Sequence, residues 1–226
     1  MEFRLLEGLP ADDVRALLAI ARRRTFGRDE VVFHRGDPAN ALHLIVKGHF
    51  AVRILTPLGH SALLAIDGPG DAFGELALVT AEASRSATVS ALGPGETFAV
   101  YREEFAGLQA RHPGVNVILL KLLAEQVRRS NERIVAAHYL DSETRVRWAL
   151  QQLATTYSSD ETAPVVVPLT QEQIAELAGA ARATVNRVLK EEEQRGTVEL
   201  LRGKVQITDR ADLARRVRGM PHANRE

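Results

Sequence analysis

The hydrophobic period of this chain changes near residue 110, and that change limits what it can fold into. From 24 to 107, short β-prone runs (VVF, LHLIV, HFAVRIL, SALLAI, ATVSAL, TFAV) are separated by Gly27, Gly36, Gly48, Gly59, Gly68, Gly70, Gly93 and Gly95. Strands at that spacing, with turn residues between them, predict a small antiparallel barrel or sandwich. The Lys47–Gly48 step between two apolar runs reads as a tight hairpin. From about 114 to 139 the pattern is helical. Leu120, Leu123, Val127, Ser130, Ile134 and Ala137 follow one another at steps of 3, 4, 3, 4 and 3 residues. That is a short heptad seam, polar only at Ser130, and packing on the barrel would produce the same spacing.

The flanks are helical too. Residues 10–23, PADDVRALLAIARR, place Val14, Leu17, Leu18 and Ala21 on one face. Asp12 and Asp13 suit the positive end of such a helix, and the arginines its negative end. Asp141 is placed to cap another amphipathic helix, whose apolar residues are Val146, Trp148, Ala149, Leu150 and Leu153. TTYSSDETAP, 155–164, reads as a loop. Thr170 then precedes Gln173 at capping-box spacing. Ile174, Leu177 and Ala178 form one short stripe, and Val185, Val188 and Leu189 form another beyond Gly179. Two short helices about a glycine turn fit a helix-turn-helix, and VELLRGKVQI, centred on Arg202–Gly203, fits a β-hairpin wing.

Composition narrows the class. A chain of 226 residues can hold two cores, and 45% hydrophobic with 26% charged residues is a soluble globular balance. With no cysteine there are no disulfides, thiolate clusters or cysteine-rich zinc modules. No apolar run approaches a membrane span and no basic–apolar leader is present, so a cytoplasmic protein is expected. Formal net charge is zero, yet residues 181–219 carry ten Lys/Arg against six Asp/Glu, a local excess of four. Such an excess at one end suits a nucleic-acid partner, and equally a solvated surface.

Within the glycine-rich half stands FGELALVTAEASRSATV, 73–89. Gly74 and Glu75 break in before a one-turn apolar patch, and Arg85 follows ten residues after Glu75 with the hydroxyls of Ser86 and Thr88. Either Glu75 and Arg85 form a structural ion pair, or the cassette binds an anion with hydroxyls beside it.

The order of barrel, long helix and winged helix-turn-helix, with FGELAL and RSATV, resembles the CRP/FNR family of bacterial transcription regulators over roughly 10–210. The resemblance implies an α+β chain: an N-terminal antiparallel β-barrel of jelly-roll, cyclic-nucleotide-binding type (1–113), a long dimerisation helix (114–140) and a C-terminal winged helix-turn-helix (141–226). It implies an effector, cAMP or another cyclic nucleotide, with no obligatory cofactor. Partners would be double-stranded DNA, a second copy of the chain and RNA polymerase. Carried over by position, Gly74 and Glu75 would lie at the ribose and Arg85 and Ser86 at the phosphate, with Leu76 in the same effector site. A buried arginine suits one phosphate by a charge-assisted bond, and a residue without Cβ lets backbone N–H groups approach. Ser130 would read adenine in its own subunit and Asn131 would reach the nucleotide of the other. A serine in an apolar seam can instead set register or bond its own backbone.

The segment RATVNRVLK, 182–190, would enter the major groove. Arg182, Asn186 and Arg187 fall within two turns, so several of them can face the groove, and Arg182 and Arg187 match the family's base-contacting arginines. Thr184 or Lys190 would hold phosphate, and Thr170 is counted among the DNA-binding residues. Ala181 and Ala183 depart from the serine and glutamate that cAMP-responsive members usually carry there, which leaves the operator open. The run Glu191–Glu193 reads as a solvated face. His34, His43, His49 and His60 lack metal-ligand spacing, and His138 stands near the end of the long helix. No nucleophile–base pair or P-loop appears, so no enzymatic activity is expected. Two further readings stay open: the same architecture without cyclic-nucleotide sensing, and a nucleotide-binding regulatory subunit acting on a protein partner.

Overall fold

A computed structural model describes Phe3, Leu6 and residues 10–55, 61–79 and 84–217. Gly59 and His60, singled out in the sequence, lie outside the described residues. By internal packing the chain divides into two units, Met1–Gly59 with Leu64–Val127, and Arg128–Glu226 with His60–Leu63.

The first unit opens with α1 (Ala11–Ile20). Asp12 and Asp13 occupy its first turn, but the helix ends before the arginines expected at its other end. Those arginines form an unforeseen strand, β1 (Arg22–Phe26), exposed except at Phe26. The glycine-punctuated runs are the strands β2 (Val31–Phe33), β3 (Ala41–Lys47), β4 (Phe50–Leu55), β5 (Ser61–Asp67), β7 (Thr88–Ala91) and β8 (Gly95–Tyr101). The two-residue β6 (Ala72–Phe73) and the single-turn α2 (Leu76–Val79) lie between β5 and β7.

The strands form two four-stranded sheets, β1-β8-β3-β6 and β2-β7-β4-β5, so the barrel is an open jelly-roll rather than a closed cylinder. Lys47–Gly48 is therefore not a hairpin. It carries the chain from one sheet to the other, because β3 pairs with β8 while β4 pairs with β7. Gly48 is needed there on two counts. Its φ is +83°, and a Cβ would stand 2.7 Å from the Gly95 Cα.

Phe26, Ile45, Phe50, Phe73, Val89 and Ala91 form one buried cluster. Each of its large side chains contributes about 1.5–3 kcal/mol by leaving water. A second cluster joins Leu17, Leu42, Leu44 and Val100 to Phe105 and Leu108 of α3 (Arg102–Arg111) and to Ile118. Ile118 belongs to α4 (Asn116–Tyr139), which follows a 3-10 turn at Pro113–Val115.

Three apolar positions of the α4 seam, each a heptad from the next, are exposed: Leu120 at 67%, Val127 at 60% and Ile134 at 56%.

In the second unit, Asp141 caps α5 (Ser142–Tyr157), accepting from the Thr144 amide at 2.8 Å. This helix takes in Thr155–Tyr157, so the expected loop is shorter by those residues. A third strand absent from the sequence reading, β9 (Val165–Val167), pairs with the wing hairpin. The hairpin itself is β10 (Val198–Leu201) and β11 (Lys204–Ile207), turning at Gly203 with φ +73°. Thr170 and Gln173 make the full capping box on α6 (Gln171–Ala178), and Gly179 ends that helix in the left-handed region. Then follow α7 (Arg182–Gln194) and α8 (Arg210–Arg216).

The acidic run of α7 corrects the sequence reading. Glu192 is fully buried rather than solvated. Its carboxylate accepts from Arg147 Nε at 2.8 Å and from the Thr197 hydroxyl at 2.6 Å, and pairs with Arg216. Burial raises its pKa, but Arg147, Thr197 and Arg216 together hold it below the ordinary carboxylate value. A buried carboxylate persists only with such partners.

Candidate effector site and DNA-reading helix

The backbone turns sharply after β6, at Gly74 with φ +82°, into α2. Glu75 and Leu76 are half-buried there, and the Glu75 carbonyl accepts from the Leu78 amide at 2.9 Å. Arg85 comes from the segment leading into β7 and is 5% exposed. Its Nη1 donates to the Ala41 carbonyl at 2.8 Å and to the Gly74 carbonyl at 3.3 Å. Nη2 donates to Asn40 Oδ1 at 3.3 Å, and the guanidinium carbon stands 4.0 Å from the Phe33 ring centroid. Nε is buried without a hydrogen-bond partner.

Among the described residues no carboxylate reaches ion-pair distance of Arg85, so the structural ion pair with Glu75 is not formed. Burial pulls the Arg85 pKa down to about 10, against the pull of Glu75 and Asp37, while Arg102 pushes the same way as burial. The side chain is still a cation at neutral pH. A buried cation held by carbonyls and an aromatic face, with one donor unsatisfied, is an arrangement suited to an anion.

The structure thus joins Gly74 and Arg85 directly and leaves Glu75 and Leu76 on the same turn. Ser86 is exposed beside Arg85, and the Thr88 hydroxyl accepts from the Arg35 amide at 3.0 Å. Ser130 and Asn131 sit on the second unit's stretch of α4, the first half-buried and the second exposed. The glycine's role is sharper than expected: it makes room for Arg85, since a Cβ at Gly74 would stand 2.5 Å from Arg85 Nη1. Sequence reasoning missed Asn40 and Phe33, which lie 45 and 52 positions from Arg85 with no local signal to connect them.

His43 is a core residue. It stacks on Phe73 at 5.1 Å and shares a hydrogen bond with the Thr97 hydroxyl at 3.0 Å. Burial first, then the charges of Arg85 and Arg24, drive its pKa down to about 3. Among the described residues no group of three or more His, Asp or Glu is placed to hold a metal ion.

In the second unit, Val185, Val188 and Leu189 bury one face of α7. Arg182, Arg187 and Lys190 lie on its exposed side, with Thr184 and Asn186 half-buried. Ala181 begins the helix without a side-chain cap. Asn186 donates to Gln171 at 3.2 Å, and Thr170 is engaged in its own cap. Arg187 reaches Glu143 of α5 at 2.6 Å. Arg145 links the α4–α5 junction to the turn before α7. Its Nη1 donates to the Leu140 carbonyl at 2.9 Å, and Nε and Nη2 donate to those of Ala178 and Gly179, each at 3.1 Å.

Residues 23–112 match the cyclic nucleotide-binding domain model and 144–216 the Crp-like helix-turn-helix domain model. The chain is 32% identical over 216 residues to the CRP-like cAMP-activated global transcriptional regulator of Mycobacterium tuberculosis, covering 95% of this chain and 96% of that one. It belongs to the CRP/FNR family of transcription regulators. A second relative, the cyclic AMP receptor protein of Thermus thermophilus, is 30% identical over 207 residues, 92% of this chain and 93% of that one. The structure of FixK2 from Bradyrhizobium japonicum superposes with a TM-score of 0.76 at 18% identity, over 87% of this chain and 96% of that one, a likeness of fold. Like other CRP/FNR regulators, the protein combines a cyclic nucleotide-binding domain with a DNA-binding helix-turn-helix, and no described helix is long and apolar enough to cross a membrane.

Proposed function

We propose that the protein is a homodimeric, sequence-specific DNA-binding regulator whose affinity for its operator is set by cAMP. The observation that carries the effector is Arg85, a buried guanidinium lacking a carboxylate partner among the described residues and holding an unsatisfied Nε. One such cation matches the single phosphate of a cyclic mononucleotide; a cyclic dinucleotide would ask for more positive charge. The relatives that are named as cAMP-activated or as cyclic AMP receptors support the same choice. In this reading Gly74, Glu75 and Leu76 contact the ribose, Arg85 and Ser86 the phosphate, and Ser130 and Asn131 the adenine.

Dimerisation is supported by the exposed seam Leu120, Val127 and Ile134, which a second copy of α4 would cover. A two-fold dimer then presents two recognition helices to half-sites about one helical turn apart. Arg182 and Arg187 read bases, Asn186 assists, and Thr170, Thr184 and Lys190 hold phosphate. Residues 1–113 serve as effector domain, 114–140 as dimer helix and 141–226 as DNA-binding domain. The effector acts through α4 and the Leu140–Asp141 junction, which Arg145 ties to the helix-turn-helix. The protein works in the cytoplasm with RNA polymerase as a partner, and it is not an enzyme.

The test is operator selection from genomic fragments by the purified protein, with and without cAMP. Effector coupling typically changes affinity by about 5- to 150-fold. Selection of one sequence at equal strength in both conditions would favour a constitutive regulator or one with another ligand. Failure to select any sequence would point to a protein partner instead.

A further inference from the structure

Resting on the reading of α7 as the DNA-reading helix, we propose that Glu143 is a positioning residue for base recognition. It holds Arg187 by one nitrogen so that the rest of the guanidinium meets a base edge in a fixed orientation.

Glu143 lies in the first turn of α5, on another helix from the residue it would orient. Its Oε1 stands 2.6 Å from Arg187 Nη1, and its Oε2 stands 3.7 Å from Arg147 Nη1. Arg147 is itself held, by Glu191 at 2.9 Å and by the fully buried Glu192 at 2.8 Å. A chain of alternating charges therefore runs from a buried carboxylate out to an arginine whose side chain is 56% exposed.

The geometry leaves Arg187 usable. With Nη1 committed to Glu143, the Nη2 and Nε donors remain for the paired acceptors of a guanine edge. An arginine already restricted by its support loses fewer rotamers when it binds, and the wrong base meets a donor pair that cannot swing away. Arg182 marks the contrast. Its nearest carboxylate, Glu172, stands at 3.8 Å, and both side chains are largely exposed, so Arg182 lacks comparable support.

The experiment uses the full chain, an operator duplex selected by it, and duplexes with each base pair of the half-site replaced in turn. The readout is the ratio of affinities for the operator and for each substituted duplex, a ratio unaffected by partial loss of active protein. Arg187→Ala identifies the base pair that Arg187 reads. Glu143→Ala should shrink discrimination at that pair by about two- to five-fold, the range expected of a partly exposed ion pair. Affinity for non-specific DNA should not fall. Glu143→Gln should restore part of the ratio, because its amide keeps an oxygen dipole of the same shape against the Arg187 guanidinium. In an Arg187→Ala background, Glu143→Ala should change nothing further at that pair.

An unchanged ratio in Glu143→Ala would overturn the positioning role. So would higher operator affinity at an unchanged ratio, which would make Glu143 a competitor of DNA for Arg187. If Arg187→Ala leaves every base preference intact, the reading of α7 falls and this role with it. A normal Arg187 effect beside a silent Glu143→Ala removes the positioning role alone.

Discussion

Gly74 and Arg85 leave no room for a side chain between them: a Cβ on Gly74 would lie 2.5 Å from Arg85 Nη1 and 3.1 Å from the Ala41 carbonyl oxygen that this nitrogen bonds. Gly74→Ala therefore meets two obstacles, the guanidinium and a φ of +82°. Left-handed backbone alone costs a non-glycine residue about 1–2 kcal/mol. The substitution should lower the melting temperature of the protein and displace Arg85. A variant that folds should bind cAMP more weakly by at least about tenfold, the loss expected when a single charged hydrogen bond goes. Calorimetry on the folded variant checks this; unchanged affinity would mean that Arg85 does not depend on Gly74 for its position.

The α4 seam is expected to close a dimer. Val127→Glu with Ile134→Glu places like charges opposite one another in the pair and should give monomers in sedimentation at micromolar concentration. Because both side chains are more than half exposed in one chain, secondary structure by circular dichroism should stay unchanged. Operator affinity should fall with loss of the second half-site. A dimer that survives both substitutions would place the interface elsewhere.

Replacing Glu192 should be costly. Glu192→Ala leaves Arg147 buried without its closest carboxylate and frees the Thr197 hydroxyl of a partner. Breaking a buried ion pair from one side costs about 3–5 kcal/mol, measurable by urea denaturation. A loss below about 1 kcal/mol would mean that the arginines find water or other carboxylates at little cost, as surface pairs do.

Acid should weaken the first unit through His43. Its pKa falls from the ordinary value of 6.5 to about 3 on folding. Between those values the unfolded chain takes up a proton that the folded one refuses, so stability declines as pH drops through that window and is fully present above it. From pH 7 to pH 5 the decline from this group is about 2 kcal/mol. His43→Gln, which keeps a partner for Thr97 and does not titrate there, should lose less stability than wild type over the same interval. Equal losses would mean that carboxylates alone account for the acid response.

Local pattern carried most of the fold. The strands that alternate or run apolar between glycines were legible, as were the Asp141 cap, the Thr170–Gln173 box and the stripes of the helix-turn-helix. The failures share a cause, which is that the deciding contact is distant in sequence. Arg22–Phe26 is poor in apolar residues and becomes a strand only because β8 offers its edge. Lys47–Gly48 has the residues of a hairpin, yet the flanking strands find better partners in β8 and β7. Glu192 looked solvated among its neighbours until Arg147, 45 positions earlier, and Arg216 closed on it. In the candidate site, Gly74 and Arg85 were readable from one cassette, whereas Phe33 and Asn40 reach Arg85 from distant parts of the chain. Glu143 came to Arg187 from a different helix altogether.

The central claim is that Arg85 binds the phosphate of a cyclic mononucleotide, and calorimetric titration of the full chain with cAMP tests it most directly. Wild type should bind in proportion to its subunits. Arg85→Ala, still folded by circular dichroism, should bind at least about tenfold more weakly, since a charged hydrogen bond contributes about 1.5–3 kcal/mol and an unpaired phosphate costs more. Equal affinity in wild type and Arg85→Ala, or no binding of cAMP by the wild type, would contradict it.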